Sequence, residues 1–165
     1  MKLLEGYVEN RTLEAALAAM LGALCVVGRS IKVPIYGVCM MDFGTTFWVV
    51  SILVLSYPYV WMFSILLSLT STIPTPAMLV FLFALNTAYF IRRIAGLKSK
   101  WVIPLLPYAV TLGDIIFLLY GLKLLPFEVY IGPALFQATL GVIQVIIMVP
   151  IIMTSLEKFG VVAEW

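Results

Sequence analysis

Histidine is absent from the chain, and cysteine occurs only twice, at Cys25 and Cys39. Without histidine there is no histidine-ligated haem or metal and no histidine acid–base chemistry. The two cysteines lack metal-binding spacing and have apolar neighbours, so they read as buried free thiols. Charge is also scarce, at 11% of 165 residues. Soluble domains carry about 25%, so this chain lacks the charge to coat a water-facing surface. Disorder needs a polar composition and is excluded too. Ten Lys and Arg against eight Asp and Glu leave a formal charge of +2. That balance provides no basic stripe for nucleic acid. There is no GxxxxGK[ST] run, so ATP phosphates cannot be held by a P-loop here. Any ATP dependence must come from a partner, and no cofactor or metal is expected.

What the chain has in abundance is apolar residues, 64% of the total. That composition predicts an all-α integral membrane protein, one transmembrane domain over residues 1–165. Residues 1–12 (MKLLEGYVENRT) mix charges without an apolar run, so they read as a short interfacial segment rather than a cleaved signal. The spans are predicted at about 13–27, 43–56, 58–70, 77–91, 101–122 and 133–156. The stretch Phe43 to Leu69 carries no charge and is 27 residues long. As one helix it would measure about 40 Å, against about 30 Å of hydrocarbon. Ser56-Tyr57-Pro58-Tyr59 breaks it, giving a six-helix bundle, or five helices if the stretch is one kinked span. Loops are expected at IKVPIYGVCMMD, STIPTP, RRIAGLKSK and KLLPFEVYIG.

Lys and Arg in short loops set orientation. With six spans and the N-terminus inside, Lys2, Arg11, Arg92, Arg93, Lys98, Lys100 and Lys158 are cytoplasmic, and Arg29, Lys32 and Lys123 are outside. Five spans in the opposite orientation score equally. Both place RRIAGLKSK on the cytoplasmic side of a cell membrane. With six spans, both termini are cytoplasmic.

In lipid, the informative residues are those that cost energy. A charged Asp114 within a span costs about 2.5–3.5 kcal/mol on insertion scales. It either contacts a polar or cationic solute, or caps broken backbone near Gly113. Thr111 lies one turn back. Asn86 is mid-span in the fourth helix. Gln137 and Gln144 share a face of the last helix with Gly141, and such amides also bond simply across helices. Asp114, Tyr120, Glu128, Tyr130 and Gln137 all fall towards the outer side, as a polar cup. Tyr36, Trp48, Trp61, Trp101 and Tyr108 near span ends read as interface anchors. Pro104, Pro107, Pro133 and Pro150 kink the last two helices or mark their ends, and each interior one frees a carbonyl. The solute is open: Asp114 and Glu128 suit a cation, whereas Arg29, Lys32 and Lys123 suit a carboxylate.

The first span reads TLEAALAAMLGALCVV. Ala15, Ala19 and Ala23 recur every fourth residue, with Gly22 on the flank, so they line one helix face. Close backbone approach at small residues supplies attraction in lipid. The stripe is a docking face, either for a partner or within this chain.

Several features together resemble the substrate-binding S component of energy-coupling-factor (ECF) vitamin transporters. The alanine stripe EAALAAMLGAL is similar to that family's docking motif, matched at Ala15, Ala19 and Ala23. The Asp42-Phe43-Gly44 entry to the second helix, the short second and third helices, the basic connector and the YIGPALFQATLGVIQ opening of the last helix also resemble it. SYPYV stands where family members commonly have a Gly-Pro turn. The lack of histidine excludes the nickel and cobalt branch. The resemblance implies six helices, a transmembrane coupling subunit and two cytoplasmic ATPases as partners. It also implies capture of a small water-soluble vitamin outside and release inside after toppling in the membrane. An accessory subunit of a larger complex is the alternative. A lipid- or prenyl-modifying enzyme is a further one, but Asp42 and Asp114 stand far apart and no second acid adjoins either.

Overall fold

The computed structural model describes residues 11–36, 39–69, 79, 82–83, 86–87, 106–114 and 126–162. The described residues form five helices and one two-stranded hairpin. In chain order these are α1 (Arg11–Ser30), β1 (Lys32–Tyr36), β2 (Cys39–Asp42), α2 (Gly44–Val54), α3 (Tyr57–Leu69), α4 (Leu106–Asp114) and α5 (Phe127–Lys158). Between α3 and α4, residues 79, 82, 83, 86 and 87 are also helical. The predicted STIPTP loop and RRIAGLKSK connector lie outside the described residues, as do residues 1–10.

α1 is alanine-rich, a strong helix-forming composition. Glu14 in its first turn and Arg29 in its last complement the helix dipole. Its buried positions are Glu14, Leu17, Leu21, Cys25 and Gly28, a stripe at three- and four-residue spacing. At its end α1 meets α2 backbone to backbone. A Cβ on Gly28 would stand 2.9 Å from the Gly44 nitrogen, so only glycine fits. Phe43 N–H donates to the Gly28 carbonyl at 3.2 Å, and the Cys25 thiol donates to the Gly44 carbonyl at 2.9 Å. Cys25 is a buried thiol outside any disulfide, as expected.

IKVPIYGVCMMD, expected as a loop, contains an antiparallel hairpin. Lys32 pairs with Asp42, Val33 with Met41, Pro34 with Met40 and Tyr36 with Cys39, with a register shift between Pro34 and Tyr36. Val33, Ile35 and Tyr36 favour extended backbone, and the run is too short to show clear alternation. An open two-stranded sheet leaves unpaired backbone groups at both edges, which hydrocarbon does not tolerate.

The stretch Phe43 to Leu69 is two helices. α2 stops at an extended Leu55 (φ −90°, ψ 154°) whose N–H bonds the Ser51 carbonyl. The α3 backbone starts afresh, with Tyr59 and Val60 N–H both donating to the Ser56 carbonyl. Pro58 explains the break. Its ring would clash with the carbonyl four residues back in a continuous helix, yet it fits a first turn. At 11 and 13 residues, the helices measure about 16 and 20 Å, each shorter than the hydrocarbon.

α2 is buried almost all round, including Trp48 at 1% exposure. The expectation that Trp48 anchors an interface is therefore corrected: it is a core residue, because α2 is apolar on every face and is enclosed by its neighbours. Around it lie Leu17 and Leu21 of α1, Val60 and Phe63 of α3, and Val145, Val149 and Met153 of α5.

α5 also departs from expectation. Its helix begins at Phe127, so the second half of KLLPFEVYIG is helical and Pro133 lies inside the helix. Pro126 (φ −61°, ψ 137°) is the stop that precedes it. Glu128 in the first turn complements the dipole. Proline is tolerated inside membrane helices where the freed carbonyl is otherwise satisfied. α4 packs along α5 at small residues: a Cβ on Gly141 would lie 3.2 Å from Pro107. α5 ends in a Schellman motif. Gly160 adopts φ 66°, Val161 N–H bonds the Leu156 carbonyl, and Gly160 N–H bonds that of Glu157, each at 2.9 Å.

α1 and the Ile131–Lys158 part of α5 are long and apolar enough to cross a membrane, with only 28% and 22% of their apolar windows buried. A helix in a soluble core would instead be mostly enclosed. Here large apolar side chains face outward, such as Ile147 at 56% and Ile151 at 58% exposure.

Candidate functional site

Polar side chains within an apolar bundle are the candidates, and the structure sorts them into satisfied and available groups. Most hydroxyls are satisfied locally. Ser51, Ser64, Thr87, Thr111, Thr139 and Ser155 each bond a carbonyl one turn back in their own segment. This is the usual solution where water is absent. Thr111, expected beside Asp114, is spent in this way on Pro107.

Gln144 bonds across helices, the structural option weighed for it. Its Nε2 donates to Thr46 Oγ1 of α2 at 2.6 Å, in a buried setting. This pair ties the middle of α5 to the first turn of α2. Gln137 lies two turns nearer the N-terminal end of α5 on the same face, half-buried. Glu128 is exposed and nine residues from Gln137, which at about 100° per residue puts it on the opposite side of the helix. Gln137 and Glu128 therefore lie on opposite sides of α5. Tyr130 shares the Gln137 face by the same spacing, and its backbone is in α5. Asp114 closes α4. The side chains of Asp114 and Tyr130, and all of Tyr120, lie outside the described residues.

Asn86 belongs to a relay. Trp61 Nε1 donates to the Tyr57 hydroxyl at 2.6 Å. Tyr57 donates to Asn86 Oδ1 at 2.7 Å. Asn86 Nδ2 donates to the Leu82 carbonyl at 2.7 Å. The rings of Tyr57 and Trp61 meet edge-on, centroids 6.4 Å apart. Asn86 is exposed, and these bonds leave one amide hydrogen and one oxygen lone pair for another group.

Sequence reasoning missed Glu14. It is buried, and its Oε1 accepts a 2.5 Å bond from the Ser56 backbone N–H. A carboxylate at this point serves the start of α3, where orphan N–H groups gather. Its three-residue offset from Leu17 on the buried stripe was the available signal.

On α1, Ala15, Ala19 and Ala23 are exposed, on the side away from the core stripe. Among the described residues they lie outside the core cluster. Gly22 is half-buried and turned towards α3, where a Cβ would meet Phe63 at 3.4 Å. It belongs to the α1–α3 contact rather than to the outer stripe.

Among the described residues no group of three or more His, Cys, Asp or Glu is placed to hold a metal. Comparison with protein-family models, with characterised proteins and with solved structures finds no match.

Proposed function

We propose that this chain is a membrane-embedded solute-capture subunit that docks onto a partner through the outer face of α1. In that role it resembles the S component of an ECF importer. The supporting observation is that Ala15, Ala19 and Ala23 face outward from α1 while Leu17, Leu21 and Cys25 pack the core. Small residues exposed to lipid gain nothing there, whereas they let a second helix approach closely. The short α2 and α3, joined at a proline-marked break, fit a six-span arrangement with α2 and α3 as its second and third helices. In this arrangement the chain lies in the cell membrane with both termini cytoplasmic. The helical residues 79, 82, 83, 86 and 87 belong to the fourth span. The solute, a small water-soluble vitamin or precursor, meets Asn86, Asp114, Tyr120, Tyr130 and Gln137. The partners are a transmembrane coupling subunit and two ATPases.

The test combines co-purification with native mass spectrometry of the full chain. The reading expects one small polar molecule bound to the purified chain and stable capture of the coupling subunit. Ala19→Leu loses the coupling subunit and keeps the small molecule. A chain that carries no such molecule and captures no coupling subunit contradicts the reading.

A further inference from the structure

The Glu14 carboxylate and the Asn86 relay share one junction. Glu14 holds the Ser56 N–H at 2.5 Å, and Tyr57, the next residue, holds Asn86 at 2.7 Å. Trp61, one turn on, fixes the Tyr57 hydroxyl at 2.6 Å. On the other side, Ala15 follows Glu14 directly and opens the outer stripe of α1. A buried carboxylate bond to a backbone N–H is stronger than a neutral one, and a hydroxyl that both donates and accepts is held in one direction.

We propose that Glu14, Ser56, Tyr57 and Asn86 form a hydrogen-bonded relay that ties the first turn of α1 to the helical segment carrying Asn86. Glu14 is a positioning residue in it. Resting on the function proposed above, the relay links the docking face to the solute site. An occupant on α1 that shifts its first turn pulls Ser56 and re-aims Tyr57 and Asn86. By reciprocity, a solute that engages Asn86 biases α1 by the same free energy.

Hydrogen exchange of the full chain in lipid nanodiscs tests the relay without any partner or solute. Hydrogen bonds to charged groups are strong enough that Glu14→Ala raises exchange about tenfold or more in peptides covering residues 55–60. The relay further requires a rise at residues 82–87. Glu14→Gln keeps an acceptor oxygen and restores both regions towards the parent. Tyr57→Phe raises exchange at 82–87 while leaving Glu14 and the Ser56 amide in place. A rise confined to 55–60 in Glu14→Ala, or no rise at 82–87 in Tyr57→Phe, overturns the proposal. If Glu14→Ala unfolds the bundle, exchange also rises across residues 145–153, and Tyr57→Phe decides alone. Failure here leaves the docking and capture assays untouched, so the two readings fail separately.

Discussion

α1 and α5 are both apolar helices that keep most of their surface outside the core, yet they expose different things. α5 presents Phe136, Ile143, Ile146, Ile147 and Ile151, bulky chains that match lipid tails. α1 presents Ala15, Ala19 and Ala23 beside larger residues such as Met20 and Val27. Two apolar helices therefore present different surfaces, one bulky and one lined with small residues. The inner faces differ as well. α5 buries branched and long chains, Val145, Val149 and Met153, whereas α1 ends in a glycine-to-glycine approach.

Substitutions sharpen this contrast. The largest stability effect is expected at Met153, fully buried on α5: Met153→Ala costs about 2–5 kcal/mol through lost contacts and a cavity, read by unfolding in mild detergent. Next comes Gly28→Val, whose branched side chain meets the Gly44 backbone. It costs about 1–3 kcal/mol or more by overpacking, and a smaller loss than that of an ordinary surface change would undo the close-approach account. Gln144→Leu removes the bond to Thr46 and costs about 0.6 kcal/mol and at most about 1.7 kcal/mol, the mean and maximum found for bonds between membrane helices. Smallest are the outward positions. Ile147→Ala and Ala19→Leu each shift stability by no more than about 0.5 kcal/mol, and a large loss at Ala19 would mean that the stripe packs inside the chain.

Where one residue dominated its surroundings, the fold was legible in the sequence. Pro58 announced the α2–α3 break because its ring cannot sit inside a helix, and the seven-residue spacing of Gln137 and Gln144 placed them on one face. The failures share a physical cause: the local signal was weaker than the tertiary one. Pro133 reads as a helix start, but α5 absorbs it six residues in. Val33 to Tyr36 is too short a run to declare a strand before its partner is seen. Trp48 reads as an anchor from its type, and only the packing around α2 buries it. Glu14 reads as an ordinary first-turn acid until α3 brings the Ser56 N–H to it. Asp114 and Tyr120, both expected to line the site, have side chains outside the described residues.

The measurement that tests the central contrast most directly is photocross-linking from α1 and α5 in the same membrane. A photoreactive phenylalanine analogue replaces Ala19 in one chain and Ile147 in another, each co-expressed with an ECF coupling subunit and its ATPases. The account predicts a protein adduct to the coupling subunit from position 19 and lipid adducts alone from position 147. Lipid adducts alone at both positions, or protein adducts only from position 147, would contradict it.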